Sequence, residues 1–288
     1  MSKTTQQSRL AIGIDVGGTG IKGCVVDLEL GQLAFKRIRI PTPRPAHPDD
    51  VVTVIGQVVE QVLSTAVETG VADAGELETA PLGLTFPGIM KRNVAYSAAN
   101  LGDDWIGVDI GKAVKQKTGH TAFVINDADA AGVAEMHFGA GTKRNSKKPS
   151  NKPRKGVVIM TTLGTGIGVA IFLDGKLLPN AELGHLEIHG HDAETRAAES
   201  AKVREDLSWA AWAERLQSYY SHLEFLLSPD LFIVGGGISK SHQEFLPLLD
   251  LKTEIVPAGL FNGAGIVGAA VLAAKASERK ASKNKAKK

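Results

Sequence analysis

Apolar positions along the chain fall into short branched runs broken by glycine, alternating with longer stretches of helical period. Runs at 10–16, 21–27 and 33–40 alternate apolar and polar residues and predict three successive strands, the first two joined by Gly17-Gly18-Thr19. A proline-rich stretch, 41–48, ends that meander. Residues 51–66 repeat apolar positions at helical spacing behind Asp49 and Asp50, and 82–86 returns as a strand stopped by Pro87-Gly88. A helix over 109–117, a strand over 122–125 and a helix over 130–137 follow. The pattern then restarts: strands at 157–162 and 167–173 flank a second glycine turn, 208–227 reads as a long helix, and 231–234 leads into a third. A helix rich in small residues is predicted over 264–276. Strand, glycine turn, strand occurs twice, which predicts an α/β fold of two related halves.

The three glycine turns change that picture from architecture to chemistry. They are Asp15-Val-Gly17-Gly18-Thr19-Gly-Ile-Lys22, Thr162-Leu-Gly164-Thr165-Gly166-Ile-Gly168 and Gly235-Gly236-Gly237-Ile-Ser239. Glycine lets backbone N–H groups approach an anion closely, so repeated turns suit a substrate with several phosphates. Asp15 beside the Gly-Gly-Thr turn is what a magnesium-bound phosphate needs, and the third turn suits an adenosine group. The order of a Walker loop is absent. The chain reads as a phosphotransferase. Such chemistry on an alcohol requires a carboxylate that accepts the hydroxyl proton. Asp127, delivered by the 122–125 strand at the start of a helix, is the candidate base; capping that helix is its structural alternative, and Asn126 or Asp129 could cap equally well. Glu182 and His185, three residues apart, can face one point and hydrogen-bond adjacent hydroxyls. His189 and His191 follow closely but form no recognisable ligand spacing.

Composition sets bounds. The chain of 288 residues has average apolar and charged content, enough for a substantial core in one or two lobes. It contains no run of about eighteen apolar residues, and its first nine residues lack a secretory apolar stretch, so a cytoplasmic location with no membrane partner is expected. Cys24 is the only cysteine, which excludes an intrachain disulfide and a cysteine-cluster metal site. The net charge of +2 is uneven. Residues 143–155 hold seven Lys or Arg and no acid, and 275–288 hold seven with one Glu, leaving the remainder acidic. The end of the chain, 277–288, is expected to be a disordered basic tail. No aromatic residue interrupts 143–155, so nucleic acid is not an expected partner.

The combination Asp15-x-Gly-Gly-Thr, Asn126-Asp127, Glu182-x-Gly-His185 and Gly235-Gly236-Gly237 resembles the ROK family of sugar kinases, over residues from about 10 to 276. Within the family the resemblance is stronger to the bacterial polyphosphate glucokinases, including glucomannokinases, through 162–168 and the Leu207-Ser-Trp209 neighbourhood. It implies an actin-like ATPase (ribonuclease H-like) fold, with two lobes around a central cleft. The small lobe would be 9–125, joined by the 264–276 helix, and the large lobe 126–263. It implies that Asp127 is the base toward the sugar 6-hydroxyl and that Asn100, Asn126, Glu182 and His185 contact the sugar. Asp15, Gly17, Gly18, Thr19 and Lys22 would hold one phosphate, with magnesium reached from Asp15 through phosphate or water. Gly164, Thr165 and Gly166 would hold another, and Gly235, Gly236 and Gly237 the nucleotide. Asn100 precedes Leu-Gly where the family more often has Leu-Pro. Many relatives bind structural zinc through the Gly-His histidine and a downstream Cys-x-Cys-Gly cluster; residues 192–206 contain no cysteine, so no zinc is expected. With the first strand predicted to start near Leu10, the helix-turn-helix of the family's repressors is not expected.

The resemblance implies a magnesium-dependent enzyme that phosphorylates glucose, with mannose as a further acceptor, from polyphosphate and ATP, acting as a homodimer. Lys143, Arg144, Lys147, Lys148, Lys152, Arg154 and Lys155 would line a lane for the polyphosphate chain; a solvated loop is the alternative. An ATP-only kinase of mannose or an N-acetylhexosamine is a second reading. A non-catalytic sugar sensor is a third, opposed by the joint presence of Asp15, Asp127, Glu182 and His185.

Overall fold

The computed structural model describes residues 9–99, 101–145, 148–260 and 263–285, with the backbone alone at 143–151 and 285. The chain divides into two compact units, 1–131 with 265–288, and 132–264.

In the first unit β1 (Leu10–Gly17) and β2 (Gly20–Asp27) form an antiparallel hairpin whose last paired residues are Gly17 and Gly20, so Gly18 and Thr19 alone make the loop. The expected 33–40 strand is two short pieces, β3 (Gln32–Leu33) and β4 (Ile38–Ile40), both paired with β2. Helix α1 (Pro48–Glu68) and the short α2 (Ala74–Glu78) lead to β5 (Leu82–Phe86), which lies parallel to β1. A small hairpin of β6 (Met90–Lys91) and β7 (Val94–Ala95) precedes α3 (Ile110–Thr118). Strand β8 (Ala122–Asn126) then joins parallel to β5. The main path is β3-β2-β1-β5-β8. Helix α1 has the length and composition of a membrane span. Its apolar face, Val51, Ile55, Val58 and Val62, is instead fully buried in the core with Ile12, Ile14 and Val25.

Helix α4 (Asp127–Phe138) carries the chain into the second unit. There the expected basic loop contains a two-stranded ladder, β9 (Thr142–Asn145) with β10 (Lys148–Pro153). Its register shifts between Pro149 and Pro153, residues that cannot donate to a ladder. Strands β11 (Val157–Leu163), β12 (Ile167–Leu173) and β13 (Lys176–Leu178) form an antiparallel meander. A short hairpin, β14 (Glu187–Ile188) with β15 (His191–Asp192), leads into α5 (Ala193–Ala197), α6 (Glu199–Arg204) and the long α7 (Trp209–Leu227). Strands β16 (Leu231–Gly235) and β17 (Ile255–Pro257) complete the order β13-β12-β11-β16-β17. In both units three antiparallel strands continue into two parallel ones, so the same 3-2-1-4-5 topology occurs twice. Trp212, Tyr219, Tyr220, Phe232 and Phe245 fill the second core. Buried Glu135 accepts the backbone N–H groups of Ala140, Gly259 and Leu260, tying the end of α4 to the loop after β17.

Helix α8 (Ala264–Lys285) returns to the first unit. Gly13 and Gly83 are cross-strand neighbours, and a Cβ on them would collide with the Ile266 and Ala269 carbonyl oxygens, respectively. The strands are bare at the point where the helix backbone rests on them. The helix does not stop at 276: residues 277–285, expected as disordered tail, continue it. Polar composition concealed helix propensity, since Ala, Glu, Lys and Arg dominate this stretch and neither Gly nor Pro interrupts it.

Candidate active site

The first unit collects its polar residues where the parallel strands end. Asp15 sits near the end of β1, opposite Thr85 on β5 and Lys22 on β2. One carboxylate oxygen accepts the Thr85 hydroxyl at 2.9 Å and the other the Lys22 ammonium at 2.9 Å. The turn itself is braced through its carbonyls: Thr42 Oγ1 donates to Gly17, an Arg44 Nη2 to Gly18 at 2.9 Å, and an Arg39 Nη2 to Thr19 at 3.2 Å. Two guanidinium groups therefore flank the glycine turn, a feature hidden from the sequence because Arg39 and Arg44 lie 20 and 26 residues from the carbonyls they reach. Two strands over, Asn126 ends β8. Its Oδ1 accepts the Asp129 N–H at 3.0 Å, capping α4, and its Nδ2 donates to the Gly88 carbonyl. The cap belongs to Asn126, so Asp127 is released from that duty and stands exposed in the first turn of α4, one oxygen accepting the Ala128 N–H. Strand spacing and register set Asp15 and Asp127 roughly 10–12 Å apart.

In the second unit Gly164, Thr165 and Gly166 form the loop between Leu163 and Ile167. Ser200 at the start of α6 braces it, its N–H donating to Gly164 and its hydroxyl to Thr165. Gly235 pairs with Thr162, and Gly236 adopts φ +89° with the Leu163 backbone against it, so the second and third turns lie side by side. Glu182 immediately precedes, and His185 ends, a single 3-10 turn, Leu183–His185, where residues three apart eclipse. Burial pushes the Glu182 carboxyl up; His185 opposes that and Glu194 adds to it. His185 is raised above the ordinary histidine value, chiefly by its hydrogen bond to Asp192, 2.9 Å from Nδ1.

Glu194 was not anticipated from sequence. Its Oε2 accepts the Ile167 N–H at 3.0 Å and its Oε1 lies 3.9 Å from His185 Nδ1, linking the second glycine turn to the histidine. A Cβ at Gly166 would strike it. His185, Asp192 and Glu194 offer ligand atoms within 4.8 Å of one another. The Asp192 contact is of hydrogen-bond length and orients the ring. Glu205, a further acid in the same stretch, is taken by Arg215 and Arg204 and is pulled down to about 2.

Several expected site residues are held by protein partners. Lys22 balances Asp15, and Arg154 of the basic run is paired with Glu254 at 2.7 Å. Lys155 is exposed and Lys152 lies on β10. Asn100 and Lys147 lie outside the described residues, as do the side chains of Lys143, Arg144 and Lys148.

The model of the ROK family matches residues 11–199. The polyphosphate glucokinase of Mycobacterium tuberculosis (strain CDC 1551 / Oshkosh) is 44% identical over 269 residues, covering 93% of this chain and 92% of that protein. The crystal structure of an inorganic polyphosphate/ATP-glucomannokinase from Arthrobacter sp. strain KM superposes with a TM-score of 0.82 at 51% identity, over 93% of this chain and 99% of that one. A ROK family glucokinase from Streptomyces griseus, solved with glucose and AMPPNP, gives 0.73 at 26% identity over 92% and 99%.

Proposed function

The chain belongs to the ROK family and has the actin-like ATPase fold of its sugar kinases, and from that premise we propose that it transfers phosphate from inorganic polyphosphate, and from ATP, to the 6-hydroxyl of glucose. The observation that carries this reading is the extent of the likeness to polyphosphate-using kinases, 44% identity over 269 residues to one and 51% over 93% of this chain to the other.

Asp127 takes the hydroxyl proton as the sugar oxygen bonds to phosphorus, and the donor leaves as ADP or as a polyphosphate one unit shorter. Its place supports the role: it is exposed where the parallel strands end, while Asn126 does the capping. In the second unit Glu182, His185 and Glu194 supply hydrogen-bonding groups suited to sugar hydroxyls, and the turns at Gly164–Gly166 and Gly235–Gly237 suit phosphate and nucleotide. In the first unit the Gly17–Thr19 turn with Arg39 and Arg44 balances a second phosphate. Asn126 has both side-chain ends engaged and serves the sugar through placement of Asp127.

Magnesium fits this arrangement. Asp15 keeps part of its carboxylate open, with Lys22 and Thr85 taking one position on each oxygen, so it would hold a hydrated ion through water. The ion would neutralise charge on the donor phosphates. Mannose as a second acceptor, a homodimer and a cytoplasmic location complete the proposal.

Purified protein with magnesium and glucose, given either nucleotide-free long-chain polyphosphate or ATP, tests it. Turnover with both donors is expected. Activity with ATP alone would reduce the reading to an ordinary glucokinase, and sugar binding without turnover by either donor would replace it with a sensor.

A further inference from the structure

The basic end of α8 is unused by this chemistry, and it is built into a groove. One face of the helix carries Leu272, Lys275, Ala276, Arg279, Lys280 and Lys283, at spacings of three and four. With Phe123, from the start of β8, these residues line an open cavity of about 350 Å³. Earlier turns of the helix bury Ala269, Ala270 and Val271. Beyond those turns apolar residues give way to four cations, and no carboxylate is among the described residues that line the groove. Burial and Arg279 both lower the Lys275 pKa; Glu278, the acid that acts on it, opposes them. Like charges four residues apart weaken a helix. The cluster gathers positive charge on one helix face, which an anion would balance.

We propose that the α8 groove is an accessory site for long-chain inorganic polyphosphate, holding a stretch of the donor away from its reacting end. The inference rests on the polyphosphate reading above. Gly265, at the other end of α8, lies against Asp15. Arg279 is fourteen residues further on, so the groove is roughly 20 Å along the helix from the glycine-turn end. ATP and short polyphosphates cannot engage both places, whereas a long flexible chain can, and tethering raises its effective concentration at the turn. The chemistry of the face favours this polyanion over two others. A membrane helix needs large apolar residues among its cations, and after Ala276 there are none. Single-stranded nucleic acid needs successive stacking platforms, and Phe123 alone lines the groove.

The test uses the full chain carrying Lys275→Gln, Arg279→Gln, Lys280→Gln and Lys283→Gln. A milder variant changes only the exposed Lys280 and Lys283 to Gln, leaving the half-buried Lys275 intact. For the fourfold variant KM for polyphosphate of several hundred units should rise about tenfold, with kcat and the KM values for tripolyphosphate and ATP unchanged. The salt slope of long-chain binding, measured without sugar, should fall by about 3, and by about half of that in the milder variant. Unchanged long-chain KM and salt slope would overturn the proposal, as would an equal rise in KM for ATP. Equal competition by single-stranded DNA of matched charge would overturn the assignment to polyphosphate. The two readings separate cleanly. Long-chain binding lost in the fourfold variant, in a protein that turns over ATP alone, keeps the groove and removes the donor. Polyphosphate turnover indifferent to these substitutions does the reverse.

Discussion

Asp127 and His185 depend on the residues beside them: Asn126 takes the capping of α4, and Asp192 orients the imidazole. Because Asn126 caps α4, replacing Asp127 by Asn should leave the helix intact, and the new amide oxygen can still accept the Ala128 N–H. Turnover is then expected to fall by about 10²- to 10⁴-fold with glucose affinity nearly unchanged; near-normal kcat would exclude Asp127 as the base. His185 is held by Asp192, whose other oxygen caps α5 through the Glu194 N–H. Asn can keep that cap and loses the charge, so Asp192→Asn should return the raised His185 pKa toward the ordinary value in an NMR titration. The sign follows from linkage. The folded pKa lies above the unfolded one, so the contribution to stability is full below the unfolded value and is lost as pH rises through the folded value. An ordinary pKa in the unaltered protein would mean that the Asp192 contact does not form in solution.

At the scale of elements, glycines of similar sequence context have different jobs. Gly13 lies under α8, where a methyl group would meet the Ile266 carbonyl oxygen, part of a helix backbone that cannot swing aside. Gly13→Ala should cost at least about 1–3 kcal/mol in urea unfolding. Gly164, in the second turn, has open space where a Cβ would be and no positive φ. Its replacement by Ala should leave the unfolding midpoint unchanged while raising the donor KM. Equal stability losses would show that the second turn is also a packing device. The basic residues divide similarly: Arg154 is paired with Glu254, whereas Lys275, Arg279, Lys280 and Lys283 of α8 line one groove together.

For the whole molecule, hydrophobic period made the order of strands and helices readable, and the repeated strand, glycine turn, strand pattern anticipated the repeated topology of the two sheets. The motifs at Asp15, Asn126-Asp127, Glu182 to His185 and Gly235 to Gly237 identified the chemistry, because each is a local arrangement within a few residues of chain. Departures arose where local signals were weak or misleading: the broken 33–40 strand, the β9–β10 ladder, and the helix that continues through a lysine-rich end. Other features had no local signal at all. Glu194 meets His185 only because the hairpin and α5 fold back toward the 3-10 turn, and Arg39 and Arg44 reach the first glycine turn from beyond β2. The sequence by itself therefore determined which elements form and what class of chemistry they carry, since periodicity and turn residues act over a few positions. Tertiary structure alone decided which acid pairs with a cation or orients a histidine, and which glycines serve packing. Those outcomes depend on strand register and on contacts between residues far apart along the chain, which no local pattern encodes.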